Sequence, residues 1–481
     1  MRSVSAPAPF AQLRDFGITP LGVAVVLASI AVSYGIVQQP WLLVGLVFGV
    51  IVLTVAITAP LALVACTLML GAIDLSAMTG GFKSLFPQLG GLDMNGIRLV
   101  GATVGFAAYI MSAPAARAAI FSRAVLPYLI FLVYAFITLS SSFDPLEGLR
   151  LHLKLAYPLL TFLLIVGLCD DREKLERLAN YTLVAAAVLI FVVNPLFTMQ
   201  GGYRIDPDGF RRVRSLSGHE NPFSFYLMIV MFMAFARLVY RRQTRYLLLS
   251  VGAVFWIMMT MTRITFLASI VGVLLIALLA SMRQGSYRAL AAALVVTAVL
   301  AIPGLPFILD RSLGFVPTPG ELVSLISHPE ALYSSINWQG RTNLWPIVWT
   351  GFMASPVIGL GLGSSGVVIR QHFPAEAATV AHNEYLRLAA DTGMVGVILF
   401  AIAMFVWVGV TLRAIRRGDA QTAEFALPAF AGIIAWAIIA ITDNPFDSYM
   451  YYTQYIGFLV GATVAMRTMT AKEQRVDHRL P

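Results

Sequence analysis

Apolar residues recur along the chain in unbroken runs, separated by short polar stretches that hold most of the charge. A run of ~20 such residues, coiled as an α-helix, matches the ~30 Å of hydrocarbon in a bilayer. The runs are continuous rather than alternating. Backbone groups in lipid must be satisfied within their own segment, so the pattern predicts spanning helices and excludes a barrel. The expected fold class is all-α, a polytopic integral membrane protein of about fourteen spans (12–14). They are predicted over residues 20–37, 41–58, 61–78, 97–115, 124–141, 153–169, 180–199, 222–240, 245–262, 264–281, 289–308, 391–412, 426–442 and 451–467. Residues 245–281 read as one apolar stretch with a single charge, Arg263, near the middle. One straight helix there would reach ~55 Å at ~1.5 Å per residue, too long for a single crossing, so a turn is predicted near Thr262 and Arg263.

Composition sharpens this picture. The 481 residues are 59% hydrophobic and 12% charged, with a mean hydropathy of +0.81, which excludes a water-soluble globular protein. The net charge of +9 is unevenly placed. With the N-terminus inside, the inner segments hold Arg2, Arg14, Arg117, Arg123, Arg172, Lys174, Arg177, Arg237, Arg241, Arg242 and Arg245. They continue with Arg283, Arg288, Arg413, Arg416, Arg417, Arg467, Lys472, Arg475 and Arg479. This bias and the even number of spans predict that both termini are cytoplasmic. The first apolar run lacks a convincing cleavage site, so no cleavable signal peptide is expected. Cys66 falls inside a span and Cys169 at an inner end, which predicts no disulfide between them. No fixed-period repeat or low-complexity tract is evident.

The remaining basic residues lie on the outer side, in a single polytopic domain (1–481) with two distinctive outward loops, 200–221 and 309–390. Arg204, Arg211, Arg212 and Arg214 crowd into the first, against the positive-inside tendency. One reading is a solvated loop pairing with Asp206, Asp208 and Glu220. The other is an anion site at the membrane surface, suited to arginine because its fork grips phosphate in two places. In the second loop, residues 334–355 are aromatic and apolar around one cation, Arg341, and read as a helix lying on or dipping into the interface. Pro356 closes it, a glycine-rich turn follows from Gly359 to Gly366, and His382 stands near the start of the helix that becomes the next span.

The order Gly-Arg341-Thr-Asn-Leu-Trp345, then Ser355-Pro-Val-Ile-Gly-Leu-Gly-Leu-Gly363, then His382-Asn383 with Tyr385-Leu386 and Asp391-Thr-Gly393, resembles the signature of the O-antigen ligase and polymerase superfamily. WaaL-type ligases and Wzy-type polymerases belong to it. Arg214-Ser-Leu-Ser-Gly218, Asn221-Pro222 and Thr260-Met-Thr-Arg263 fit as well. The resemblance implies a metal-independent glycosyltransferase of the bacterial inner membrane. It would move a glycan from undecaprenyl pyrophosphate to an acceptor hydroxyl on the periplasmic face, in lipopolysaccharide or exopolysaccharide synthesis. The implied partners are that lipid-linked donor, a glycan acceptor (lipid A-core or a lipid-linked repeat) and the bilayer. Neither a cofactor nor a nucleic acid is expected.

Such a reaction needs a hydroxyl to lose a proton and a pyrophosphate to leave with growing negative charge. Fixed cations can supply much of that stabilisation, and imidazole titrates near the working pH. The catalytic candidates are therefore His382 as base or acceptor-orienting group, with Arg214 and Arg341 as the clamp. Arg211, Arg212, Arg263 and Asn383 are candidates for substrate binding. Plainer roles compete: His382 as a capping residue, Arg341 snorkelling from an interfacial helix, Arg263 marking a turn. A cation submerged in lipid costs at least ~2.5–3.5 kcal/mol, so Arg263 should have a partner or a use.

Two motifs are discounted. Gly361 to Gly366 matches GxGxxG but follows no strand; it reads as a tight turn, with a phosphate nest as the lesser alternative. Asp206-Pro-Asp208 has the form of a metal-binding DxD, yet neighbouring arginines can neutralise it, and no metal site is expected. A transporter or flippase of lipid-linked glycans is the rival from another class, disfavoured by the few ionisable residues inside spans and the lack of paired halves. A membrane scaffold leaves the outer arginines without a use. The acceptor also stays open, among a core lipid (a ligase), a lipid-linked repeat (a polymerase) and a protein hydroxyl.

Overall fold

The computed structural model describes residues 50–73, 94–205, 209–337, 341–373 and 380–477. The expected span 20–37, most of 41–58, part of 61–78, the Asp206-Pro-Asp208 motif and residues Arg2, Arg14, Asp74, Gly340 and Arg479 lie outside the described residues.

The described residues are mostly helical. Six of its described helices are long and apolar enough to cross a membrane: α1 (Pro145–Leu168), α2 (Arg172–Met199), α3 (Glu220–Arg241), α5 (Arg263–Gln284), α9 (Glu384–Arg417) and α10 (Ala420–Ile439). A pair bent by 117°, Val50–Thr58 and Pro60–Met69, makes a seventh if it counts as one span. The expected fourteen are therefore not reached among the described residues, although helices do form over most of the predicted positions. The shortfall has physical causes. Gly101–Ser112, Leu126–Ser141 and α4 (Thr244–Met259) are shorter than a bilayer crossing, and the helices on either side of Ala59, expected as parts of two spans (41–58 and 61–78), form a bent pair that counts as one span at most. Helices α6 (Arg288–Leu313) and α11 (Thr453–Asp477) occupy two more expected positions.

Helix α3 is the centre of the bundle, with every side chain from Phe223 to Arg237 buried. Helix α11 lies along α1 because Gly457 and Gly461, one turn apart, remove side-chain bulk: a Cβ at either would meet the carbonyl of Pro158 or Phe162. At one end of the bundle, ion pairs tie helix termini together. Arg237 and Arg241 of α3 reach Glu176 of α2, Arg241 also reaches Glu424 of α10 at 2.6 Å, and Arg172 reaches Asp419 at 2.8 Å.

The functional loops gather at the opposite end. The loop 200–221 contains the one sheet among the described residues, an antiparallel pair of β1 (Tyr203–Ile205) with β2 (Arg211–Val213). The segment 309–390 is helical rather than loose. Pro319–Ser327 and Pro329–Ser335 are followed by α7 (Arg341–Ala354) and α8 (Ser364–His372). Helix α7 packs Leu344, Val348 and Phe352 against Ile369, Ala381 and Ala390 in a small core separate from the bundle, while Trp349 and Met353 face outward. Cys66 and Cys169 are both free thiols.

Candidate active site

The break between α4 and α5 starts the site. Met261 adopts φ +54, the helix stops at Met259, and α5 begins at Arg263, where the expected turn lies. A broken helix leaves carbonyls without partners, and arginines supply them. Arg212 Nε donates to Thr260 O at 2.9 Å, and Arg311 donates to the carbonyl of Met261. Arg263 turns outward, donating to Asn337 O at 2.9 Å.

From Arg212 a polar chain runs to His382. Arg212 Nη2 donates to Asn221 Oδ1 at 3.3 Å, and Asn221 Nδ2 donates to Asp443 Oδ2 at 2.5 Å. Asp443 Oδ1 accepts the Asn444 backbone N–H at 2.8 Å and lies 3.5 Å from His382 Nδ1. That separation is ion-pair reach, at the limit of a hydrogen bond. Contacts of this kind at reacting groups commonly tighten when substrate binds.

His382 is held there by the start of α9. Its φ of +48 is a left-handed conformation that few non-glycine residues adopt. The carbonyl of Ala381 accepts from Trp345 Nε1 at 3.1 Å, and Asn383 caps α9 by accepting from Leu386 N at 2.9 Å. The Glu384 N–H donates to Ala440 O at 2.8 Å, which brings the 440–452 connection, and so Asp443, against His382. Arg387 of the same turn reaches Asp447 Oδ2 at 2.7 Å and Glu384 at 2.7 Å, and Lys154 reaches Asp447 Oδ1 at 2.8 Å.

Arg212, Asn221, His382 and Asp443 border a cavity of about 600 Å³. Its lining includes Arg212, Arg263, Arg311 and Arg341 together with the apolar Ile264, Phe266, Leu267, Ile270, Leu305 and Ile308. Arg341 opens α7, where the helix dipole disfavours a cation and welcomes an anion. Burial pulls its pKa down, Asp443 opposes the fall and Arg212 adds to it; a guanidinium remains charged throughout. Burial would raise the Asp443 carboxyl, but His382, the Asn444 N–H and Arg341 hold it below its ordinary value.

Of the sequence candidates, His382, Arg341, Arg263 and Arg212 line this cavity. Arg214, Arg211 and Asn383 are not among its lining residues. Alternation along β2 explains Arg211: Arg212 points inward, while Arg211 is exposed and stacks on Tyr203 at 5.0 Å. Arg214, one residue past the strand, is exposed, and Asn383 is occupied with its cap. Asp443, Asn221, His219 and Arg311 border the cavity as well. Asn221 was visible as part of a motif; Asp443 and Asp447 had only one signal, two carboxylates in a short connection between apolar helices.

The glycine-rich turn is already filled. Asp391, fully buried, accepts from Gly363 N at 2.9 Å and Ser365 N at 2.7 Å, so these amides bind a carboxylate of the chain itself and not a phosphate. Gly361 sits at φ +99, where a Cβ would strike the backbone of Ser142. Among the described residues, no group of three or more His, Cys, Asp or Glu side chains could hold a metal ion.

The salt bridges of Asp447 predict acid sensitivity. Burial opposes ionisation, yet Arg387 and Lys154 bring its pKa to about 2. A lowered folded-state pKa stabilises the fold above the unfolded value near ~3.9 and ceases to do so as pH falls toward ~2. Unfolding in detergent should therefore show a loss of about 2 kcal/mol across that window, and Asp447→Asn should flatten it.

No curated protein matches the chain. Residues 248–401, which hold the helix break, Arg263, Arg341, the glycine-rich turn and His382, match the family model described as O-antigen ligase, a match that supports membership of the O-antigen ligase superfamily.

Proposed function

We propose that the protein is a glycosyltransferase of the bacterial inner membrane that moves a glycan from undecaprenyl pyrophosphate to an acceptor hydroxyl at the periplasmic face. The observation that carries this reading is the position of the His382–Asp443 pair, on the border of a cavity whose lining is divided between arginines and apolar side chains. A lipid pyrophosphate has that same division: its anion suits Arg212, Arg263, Arg311 and Arg341, and its tail suits the isoleucines and leucines of α5 and α6. Asp443 favours the His382 tautomer with its proton on Nδ1, which leaves Nε2 as the basic nitrogen. The acceptor hydroxyl gives its proton to Nε2 as its oxygen bonds to the anomeric carbon. The bond from that carbon to the pyrophosphate oxygen breaks, and the electron pair leaves with the pyrophosphate, where fixed cations stabilise it. Charge stabilisation by arginines makes this route independent of a metal.

In this reading both termini are cytoplasmic, and the exposed Trp349 and Met353 of α7 rest in the interface. The loop 200–221 supplies the site with Arg212. An O-antigen ligase-like reaction is favoured because the segment 309–390 is long and folded enough to frame a separate acceptor. A polysaccharide polymerase of the same superfamily is the alternative.

Transfer of labelled glycan in proteoliposomes, with chelator present, tests the placement. Arg212→Ala is expected to lower kcat/KM for the donor at least about tenfold, and more than Arg214→Ala does. The reverse order would remove Arg212 from the clamp.

A further inference from the structure

A second cavity, of about 380 Å³, meets the first along His219, Asn221, His382 and Asp443. Its charge is of a different kind. The described lining of the first cavity sets four arginines against the carboxylate of Asp443. The second sets Lys154, Arg370 and Arg387 against Glu147, Asp391, Asp443 and Asp447. Each of those cations is also engaged within the chain: Lys154 with Asp447 at 2.8 Å, Arg387 with Asp447 and Glu384 at 2.7 Å, and Arg370 with Asp144 at 3.5 Å. A phosphate entering here would meet carboxylates and would have to compete for every cation.

The lining is polar all the same, and one of its groups is unsatisfied. Asn444 is 3% exposed, and its side-chain oxygen has no hydrogen-bond partner, an arrangement that costs free energy unless a donor arrives. A hydroxyl supplies such a donor and carries no charge. Gly363 and Gly366 line the wall without side chains.

Resting on the transferase reading, we propose that this second cavity receives the acceptor, and that the part of the acceptor entering it is an uncharged, hydroxyl-rich saccharide and not a phosphorylated one. His382 then stands between a donor side selected by positive charge and an acceptor side selected by hydroxyl groups. The two substrates are kept apart by electrostatics as well as by shape, because the pyrophosphate lipid is repelled from the acceptor side.

The test uses a panel of neutral lipid-linked oligosaccharides, each paired with its monophosphorylated counterpart, and the full chain in nanodiscs. Equilibrium binding and transfer from labelled donor are measured side by side. The neutral member of at least one pair should bind ten times more tightly than its counterpart. Glu147→Gln, which removes a partly exposed carboxylate from the lining without touching the Asp447 salt bridges, should reduce that ratio at least threefold. Equal or tighter binding of the phosphorylated members overturns the proposal, as does absence of binding by every neutral member. Neutral members that bind with the expected preference but receive no glycan would leave the saccharide site standing and sink the transferase reading instead.

Discussion

His382→Ala is expected to lower glycan transfer by about 10²–10⁴-fold, the usual contribution of a positioned acid–base group, while the donor still binds. The imidazole borders both cavities and its Nδ1 lies 3.5 Å from the buried carboxylate of Asp443; His219, 3.3 Å from Glu220, borders both as well, but it is His382 that stands in the motif order at the start of α9. Its left-handed backbone is kept in place by the Trp345 contact to Ala381, the Asn383 cap and the Glu384 contact to Ala440. None of these needs the imidazole, so the variant should fold, and donor titration with the variant checks this. A capping role for His382 predicts otherwise: the cap is made by Asn383, so loss of the ring should then cost little. Asp443→Asn should fall between the native protein and His382→Ala, because the ring keeps its place but loses the charge that stabilises its protonated form.

Arg341→Ala is the second large effect, expected at about 10²–10³-fold in kcat, the magnitude of removing one charge-stabilising donor from a transition state. Arg341 stands at the start of α7, within the electrostatic reach of Asp443 and Arg212, and the departing pyrophosphate would relieve its unfavourable position beside the helix dipole. Arg341→Lys keeps the charge but loses the fork, and should recover only part of the rate. If Arg341 only snorkelled toward headgroups, lysine would restore full activity, which separates the two roles in a single comparison.

The helices were legible because lipid burial writes continuous apolar runs into the sequence, and the turn at Thr262 and Arg263 followed from the length of its run and the single charge near the middle. The number of spans was not. A run of apolar residues does not say whether it crosses straight, bends at Pro60 or stops short, as α4 does, since these outcomes depend on neighbouring helices. The hairpin at 203–213 was also hidden, and with it the choice between Arg212 and its neighbours. In a strand adjacent side chains point to opposite faces, so one residue of register decides which arginine enters the cavity. His382, Arg341 and Arg263 were legible through motif order. Asp443 and Asp447 were not, because two carboxylates in a connection look like solvated charge until the Glu384 to Ala440 hydrogen bond brings that connection to the start of α9. The role of the glycine-rich turn was half legible: a tight turn was expected, whereas the carboxylate that fills it comes from Asp391, a residue of the following helix.

The most direct test of the whole account follows one labelled donor to two fates. Purified undecaprenyl-pyrophosphate glycan is placed in the outer leaflet of proteoliposomes with chelator, and acceptors are supplied one at a time: lipid A-core, further lipid-linked donor, then a peptide. Glycosylated acceptor and label crossing the bilayer are measured together. The account predicts transfer to one acceptor, collapse of that transfer in His382→Ala, and no protein-dependent crossing. Label that crosses the bilayer while every acceptor stays unglycosylated would contradict it and make the protein a transporter of lipid-linked glycans.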